Sequence, residues 1–276
     1  MTLKKMQENP KVSIGMPVFN GEVFIRPAIE SLLAQTFTDF ELIISDNASS
    51  DGTEAICREL AATDSRIHYV RQKNNLGMFP NFKFTRDKAR GEFFMWAAAD
   101  DLKHPEFLRF SVAVLEDWPN VGLVYCGTVT RNLLTSAEIH SMSGFTTTNN
   151  KFLRSLFRLA HPTPNLIYGL FRRSILDKVE IKAFDYWDVY LGLWLELNTM
   201  IVVIPMNLYV ITTNGERIPY SVNGKYINAK TYLKETSNLF KGHLGVVPAF
   251  FLNILNRYLI VKTTRTHNRM IKSTKI

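Results

Sequence analysis

From Val12 to Phe19 the chain is apolar at most positions and rich in β-branched residues, and the run stops at Asn20-Gly21. A short apolar run closed by a turn pair predicts a buried strand. Polar positions then alternate with apolar ones at a different period. Ile25, Ala28, Ile29, Leu32 and Leu33 recur at i, i+3, i+4, i+7 and i+8, with Pro27 in the first turn, where its missing N–H leaves no bond unmade. This predicts a helix with one buried face. A second apolar strand, Glu41 to Ser45, follows and ends in Asp46-Asn47-Ala48-Ser49-Ser50-Asp51-Gly52-Thr53. Strand, helix and strand in this order form a βαβ unit, which implies a parallel sheet.

The alternation continues. Ile56, Leu60 and Ala61 predict a helix over Thr53 to Ala62; Ile67 to Val70 reads as a third strand, and Asn81 to Arg90 as a helix stopped by Gly91 in a left-handed conformation. Gly91 to Ala97 is a continuous apolar run and predicts a central strand, which leads into Ala98-Ala99-Asp100-Asp101 and a helix from near Pro105 through Leu115. Val121 to Cys126 predicts another strand. Thr135 to Asn150 is rich in Ser, Thr and Asn and predicts a loop, after which Phe152 to Leu159 and Val189 to Leu197 read as helices. Ile201 to Pro205 and Asn207 to Val210 read as two closing strands.

In open parallel sheets, ligands lie beyond the carboxyl ends of the strands. Those ends are polar here: Pro17, Phe19 and Asn20 after the first strand, Asp46 and Asn47 after the second. Short side chains of this kind suit the edge of a planar heterocycle, so a nucleotide site fits. Turn formation and capping of the next helix fit the same residues equally well.

The run Val12-Ser13-Ile14, Pro17, Phe19-Asn20, then Ile29 through Gln35-Thr36-Phe37, Asp39-Phe40-Glu41-Leu42-Ile43-Ile44, Asp46-Asn47, Ser49 and Asp51-Gly52-Thr53 resembles the amino-terminal half of the inverting family-two glycosyltransferases. The likeness continues with gaps to about Tyr209. It implies an α/β GT-A fold, a mostly parallel sheet flanked by helices. The expected division is a polar extension over 1–10, a catalytic domain over 11–215 with a donor half (11–101) and an acceptor half (102–215), and a basic, partly amphipathic extension over 216–276. The segment Asn165 to Arg173 is similar to the one that enters a strand behind the acceptor pocket, ahead of a helix from Ser174 to Val179.

The resemblance also implies site residues. Donor binding falls to Pro17, Phe19, Asn20, Asp46, Asn47, Asp100 and Asp101. Counted from Gly91, Asp100 takes the second acidic position of the family's Asp-x-Asp element and Ala98 takes the first, a departure that leaves Asp100 and Asp101 to hold Mn²⁺ or Mg²⁺, hard ions suited to oxygen ligands. A pair of Asp residues capping the following helix is the alternative. Among Arg71, Lys73, Lys83 and Arg86, none is singled out to meet the diphosphate. The catalytic base is implied at Asp188, with Asp185 as runner-up and an N-cap as the alternative role; Tyr186 and Trp187 would wall the pocket. Basic or His residues common in the family just beyond the last strand are replaced by Thr212-Thr213-Asn214-Gly215.

These readings imply a glycosyltransferase using a nucleoside-diphosphate sugar, with a UDP-sugar favoured, and a glycan or lipid-linked acceptor in surface polysaccharide or glycolipid synthesis. A non-catalytic nucleotide-sugar-binding protein of the same fold is the second reading, favoured by Ala98. A dinucleotide-dependent dehydrogenase is excluded by the lack of GxGxxG after the first strand.

Charge changes the picture at one end of the chain. From Arg217 onward there are eleven Lys or Arg against the single Glu235, whereas the chain as a whole carries +8. The basic residues alternate with apolar ones and no nucleic-acid-binding motif is present, so a membrane surface is the expected partner rather than nucleic acid. The tail places Val246, Val247, Phe250, Phe251, Leu252, Ile254, Leu255, Leu259 and Ile260 beside and ahead of Arg257, Lys262, Arg265, Arg269 and Lys272, the composition of an interfacial helix; packing against the domain or a partner subunit is the alternative. No apolar run reaches the roughly 20 residues of a membrane span and Met1 to Pro10 lacks an apolar leader, so the expected location is cytoplasmic, peripheral on the inner face of the plasma membrane. Cys57 and Cys126 have no metal or redox spacing and are expected to be reduced and structural.

Overall fold

The computed structural model describes residues 9–141, 148–161, 164–180, 187–213 and 230–256. The chain divides into two compact units. The first holds residues up to 143, 167–178 and 200–218, and is built on one mixed sheet.

Its first half follows the apolar pattern closely. Strands β1 (Val12–Val18), β2 (Phe40–Asp46), β3 (Ile67–Arg71) and β4 (Phe93–Trp96) pair in parallel, in the order β3-β2-β1-β4. Every residue of β2 and β4 is buried, as continuous apolar runs require, whereas the edge strand β3 alternates. Helix α1 (Ile25–Leu33) buries Ile25, Ala28, Ile29 and Leu32, and α2 (Thr53–Thr63) buries Thr53, Cys57 and Leu60. Helix α3 (Met78–Lys88) follows Gly77, whose φ of 86° is a conformation that only glycine adopts without strain.

The stop at Gly91 has a different cause from the one expected. Gly91 is not left-handed; a Cβ there would come within 2.6 Å of the Ser13 backbone nitrogen and 2.9 Å of the Phe93 carbonyl oxygen. Glycine is needed for close approach of β1, not for a helix cap. Both cysteines are buried and free, as expected.

The second half of the sheet departs from the parallel pattern. After the short β5 (Leu102–Lys103) and α4 (Phe107–Asp117), β6 (Val121–Asn132) runs antiparallel to β8 (Leu170–Arg172), which pairs antiparallel with β4. Part of the expected loop is a strand, β7 (Glu138–Ser141), paired with β6 through residues that are all exposed and so leave no apolar signal. A 3-10 turn, Pro164–Tyr168, precedes β8, and α6 (Arg173–Leu176) follows it. The two expected closing strands are a single one, β9 (Met200–Thr213), parallel to β6 and antiparallel to β5. Between Ile204 and Asn207 the ladder skips Pro205 and Met206, because proline has no N–H to offer. The core of this unit runs from β1 and β2 through β4 to Val124, Cys126 and Tyr209.

The second unit is helical. It comprises α5 (Lys151–Ala160), α7 (Trp187–Asn198), α8 (Lys230–Leu244) and a helical segment over 246–256. Asn150 caps α5 by accepting from the backbone N–H groups of Phe152 and Leu153. Leu159, Leu193, Leu197, Leu239, Phe240, Ala249 and Leu252 form its core. Within it, Arg158 donates to Glu196 at 2.7 and 3.0 Å, an ion pair with both side chains buried. Gly245, at φ 81°, ends α8.

Candidate active site

Strand order reverses direction at β1: β2 and β3 lie on one side of it, β4 on the other. That is the switch point at which open sheets leave a crevice beyond the strand ends. The turn after β1 and the loop after β4 meet there, since a Cβ on Gly21 would lie 4.0 Å from that of Ala99. Pro17 and Val18 are the last covered residues of β1; Phe19, half exposed, and Asn20 are open to solvent.

The loop after β2 is closed by its own bonds. Asp46 is fully buried, and its carboxylate accepts from the Ser49 backbone N–H at 2.8 Å, the Tyr69 hydroxyl at 2.7 Å and Arg71 Nη1 at 2.8 Å. Burial alone would raise its pKa; these donors hold it below the usual carboxylate value. Asn47 is equally committed. Its amide donates to Asn75 and the Gly77 carbonyl, and its carbonyl accepts from the Leu76 N–H at 2.8 Å. Asn20 accepts from the Ser50 N–H, the Asn20 N–H donates to the Ser49 hydroxyl, and Glu22 and Asp51 bond each other's loops through backbone N–H groups. Asn20 and Ala48 both sit at positive φ, 52° and 62°. The turn-forming role of these residues is thus realised, and the loop is a preformed wall.

Candidate diphosphate contacts differ in their freedom. Arg71 is held by Asp46, by Glu54 at 3.2 Å and by the Ser49 carbonyl. Lys83 and Arg86 both pair with Asp87, while Lys73 is exposed.

Beyond β4 the two adjacent carboxylates have different surroundings. Asp101 accepts from the Tyr209 hydroxyl and, at 2.9 Å, from the Thr212 backbone N–H, both on β9. Burial and the neighbouring charge of Asp100 raise its pKa to about 6 against those bonds. Asp100 is exposed. Its main-chain carbonyl accepts from the Thr212 hydroxyl, but its carboxylate takes only its own backbone N–H among the described residues, and the surrounding protein raises its pKa. No helix cap consumes either side chain: α4 begins at Phe107 with Glu106 at its cap. Asp100 is therefore left available as a hard oxygen donor, with Asp101 behind it anchoring the loop. Among the described residues no group of three or more His, Cys, Asp or Glu is clustered for a metal, so an ion here would take the rest of its shell from phosphate and water.

Lys103 was not anticipated. Its ammonium is buried, donates to the Tyr168 carbonyl at 2.7 Å and lies 3.8 Å from the Tyr209 ring centroid and 4.3 Å from that of Phe107. Burial lowers its pKa to about 8, opposed by Cys126 and Asp101. Lys103 thus stands over the ring of Tyr209, whose hydroxyl donates to Asp101. A lysine inside a two-residue strand carries no periodic signal; only its place two residues past the acidic pair hints at it.

Residues 13–179 match glycosyl transferase family 2. The chain belongs to that family. An uncharacterized glycosyltransferase of Rickettsia typhi is 33% identical over 191 residues, 66% of this chain and 56% of the relative, so the chain spans just over half of that protein's length. S. aureus TarS (1–349) in complex with UDP-GlcNAc superposes with a TM-score of 0.64 at 20% identity, covering 83% of this chain and 65% of that one. The mannosyltransferase PcManGT from Pyrobaculum calidifontis, in complex with GDP-Man and Mn²⁺, gives 0.58 at 17% identity over 92% and 70%. The fold is the expected GT-A fold, and residues 13–179 are its family-two domain.

The expected base, Asp188, stands in the first turn of α7, in the second unit. Burial raises its pKa, opposed by hydrogen bonds from the backbone N–H of Val189 and its own. Trp187 beside it is buried. Asp185, Tyr186, Asn214 and Gly215 lie outside the described residues, as does the chain beyond residue 256. No described helix is long and apolar enough to cross a membrane.

Proposed function

We propose that the chain is a metal-dependent, inverting glycosyltransferase that moves a sugar from a UDP-sugar to a hydroxyl of a glycan or lipid-linked acceptor, in surface polysaccharide or glycolipid synthesis. The observation that carries this reading is Asp100: an exposed carboxylate with no side-chain partner among the described residues, beyond β4 at the sheet's switch point. Phe19 and Asn20 would meet the base, on the wall shaped by Asp46 and Asn47. Asp100, with Asp101 fixing its loop, would hold Mn²⁺ or Mg²⁺ against the diphosphate. Such an ion, when bound, neutralises the charge that builds on the leaving diphosphate. The nucleotide sugars bound by TarS and PcManGT, and the Mn²⁺ of the latter, support the donor class and the metal.

Inversion in one displacement needs a base that takes the proton of the attacking hydroxyl, within about 3 Å of it. Asp188 has the required chemistry, a carboxyl whose pKa burial raises toward the working pH. Donor binding and transfer test the two halves separately. A UDP-sugar with Mn²⁺ at about 100 times its dissociation constant should stabilise the protein by about 2.7 kcal/mol. Asp188→Asn should keep that shift and lose a factor of about 10² to 10⁴ in UDP release to acceptor. No shift with any nucleotide sugar would sink the donor site; a shift without any turnover in the wild type would favour the non-catalytic reading that Ala98 allows. Near-normal transfer by Asp188→Asn moves the base to Asp185.

A further inference from the structure

The helical segment over 246–256 is built inside out. Its polar side chains face inward: Asn256 accepts from the Tyr232 hydroxyl at 2.8 Å and donates to Thr236 at 3.1 Å, and Asn253 donates to Ser237 at 3.2 Å, all three partners on α8. Ala249 and Leu252 are fully buried beside them. Its outer face is Val246, Val247, Phe250, Phe251 and Ile254, at i, i+1, i+4, i+5 and i+8, each between 53% and 72% exposed. A surface helix ordinarily shows water its polar side. Here the asparagines lock the rotation, so the apolar stripe cannot turn in, and the Phe250 and Phe251 rings meet edge to face outside the core.

The composition of the chain past residue 256 points to the partner of this face. From Arg257 to Ile276 the chain carries six Lys or Arg and no Asp or Glu, with Tyr258 to Val261 continuing the apolar composition. Lys262, Arg265, Arg269 and Lys272 recur at three- and four-residue steps. A partner must offer an apolar layer and negative charge together. A second copy of this chain would add six more positive charges of its own, and a nucleic acid could stack bases on the two phenylalanines but has no apolar layer for Val246, Val247 and Ile254. We propose that the 246–256 face docks on an anionic lipid bilayer, with Val246, Val247, Phe250, Phe251 and Ile254 entering the headgroup and upper acyl region and the basic residues beyond them bound to anionic headgroups. A helix of this kind lies in the plane of the interface, roughly 5–10 Å deep. The docking is independent of the donor reading, because it uses none of the residues assigned to the nucleotide or the acceptor.

Flotation of the full chain with phosphatidylcholine vesicles, with and without phosphatidylglycerol, tests it in the absence of any sugar donor. The wild type should float with the anionic vesicles, sediment with the neutral ones and be released by raised ionic strength. Each basic residue near an anionic leaflet strengthens binding about fivefold, so Arg265→Gln with Arg269→Gln and Lys272→Gln should weaken it about a hundredfold. Phe250→Ser with Phe251→Ser should abolish flotation without changing the melting temperature, since both rings are exposed. Wild-type protein that ignores anionic vesicles overturns the proposal, whatever the variants do. So does a Phe250→Ser, Phe251→Ser protein that floats normally, or one that instead passes from dimer to monomer in sedimentation, which would give the face to a second copy.

Discussion

The loops after β2 and β4 look alike in sequence, each an acidic pair or near-pair at the carboxyl end of a buried strand, Asp46-Asn47 and Asp100-Asp101. They are opposites in structure. Asp46 is buried and carries a cation, a hydroxyl and a backbone N–H on its oxygens, which pull its pKa down. Asp100 is exposed and faces no donor side chain among the described residues, and the surrounding protein pushes its pKa up. A carboxylate that has been neutralised internally holds a wall together; one left without partners stores binding capacity for something brought from solution. The same residue type at the same station in the fold is tied into the protein in one loop and open to solvent in the other.

The largest effect should come from the unpartnered carboxylate. Asp100→Asn keeps the shape and removes the charge proposed to hold the metal, so Mn²⁺-dependent turnover should fall by about 10³-fold, equivalent to about 4 kcal/mol, with melting unchanged. Full turnover at limiting Mn²⁺ would erase the distinction between the loops. The opposite signature belongs to Arg71→Met, which strands the buried Asp46 carboxylate. Arg71 is itself about one-third exposed, so the stability lost in denaturant unfolding should be measurable but smaller than for a fully buried broken pair. If Arg71→Met melts normally, the β2 loop is not held by its ion pair.

The most discriminating effect is in pH. Asp101 has a folded pKa of about 6, above its ordinary 3.8, so the folded chain binds its proton more tightly than the unfolded one. Its contribution to stability is therefore greatest below about pH 4 and declines as pH rises toward 6. Asp46, with a lowered pKa, has the reverse sign: its contribution is full above its unfolded value and is lost only as pH falls through the folded one. Unfolding of metal-free protein between pH 4 and 7 should show the decline in the wild type and not in Asp101→Asn. An unchanged slope in that variant would assign the decline elsewhere.

The first half of the sheet was legible because its strands are buried on both faces and its helices on one. Continuous apolar runs and a 3.6-residue period then translate directly into elements, as for β2 and α1. The second half was harder to read. β7 is exposed on all four residues and so carries no period, and β9 reads as two strands because Pro205 interrupts the apolar run while the chain merely skips two residues of the ladder.

What the sequence determined by itself was the family, the βαβ start and the residue types at each strand end, because these depend on local pattern and on composition along the chain. Which acid is engaged and which is available was decided only by tertiary structure. Asp101 meets Tyr209 and Thr212 more than 100 residues away, and Asp46 meets Arg71 across a strand pair. The same holds for Lys103, buried between Phe107 and Tyr209, and for the outward face of 246–256, whose orientation is set by two asparagines reaching α8. Hydrogen-bond partners across a fold leave no period in the chain, so the availability of a side chain is a property that only the folded protein has.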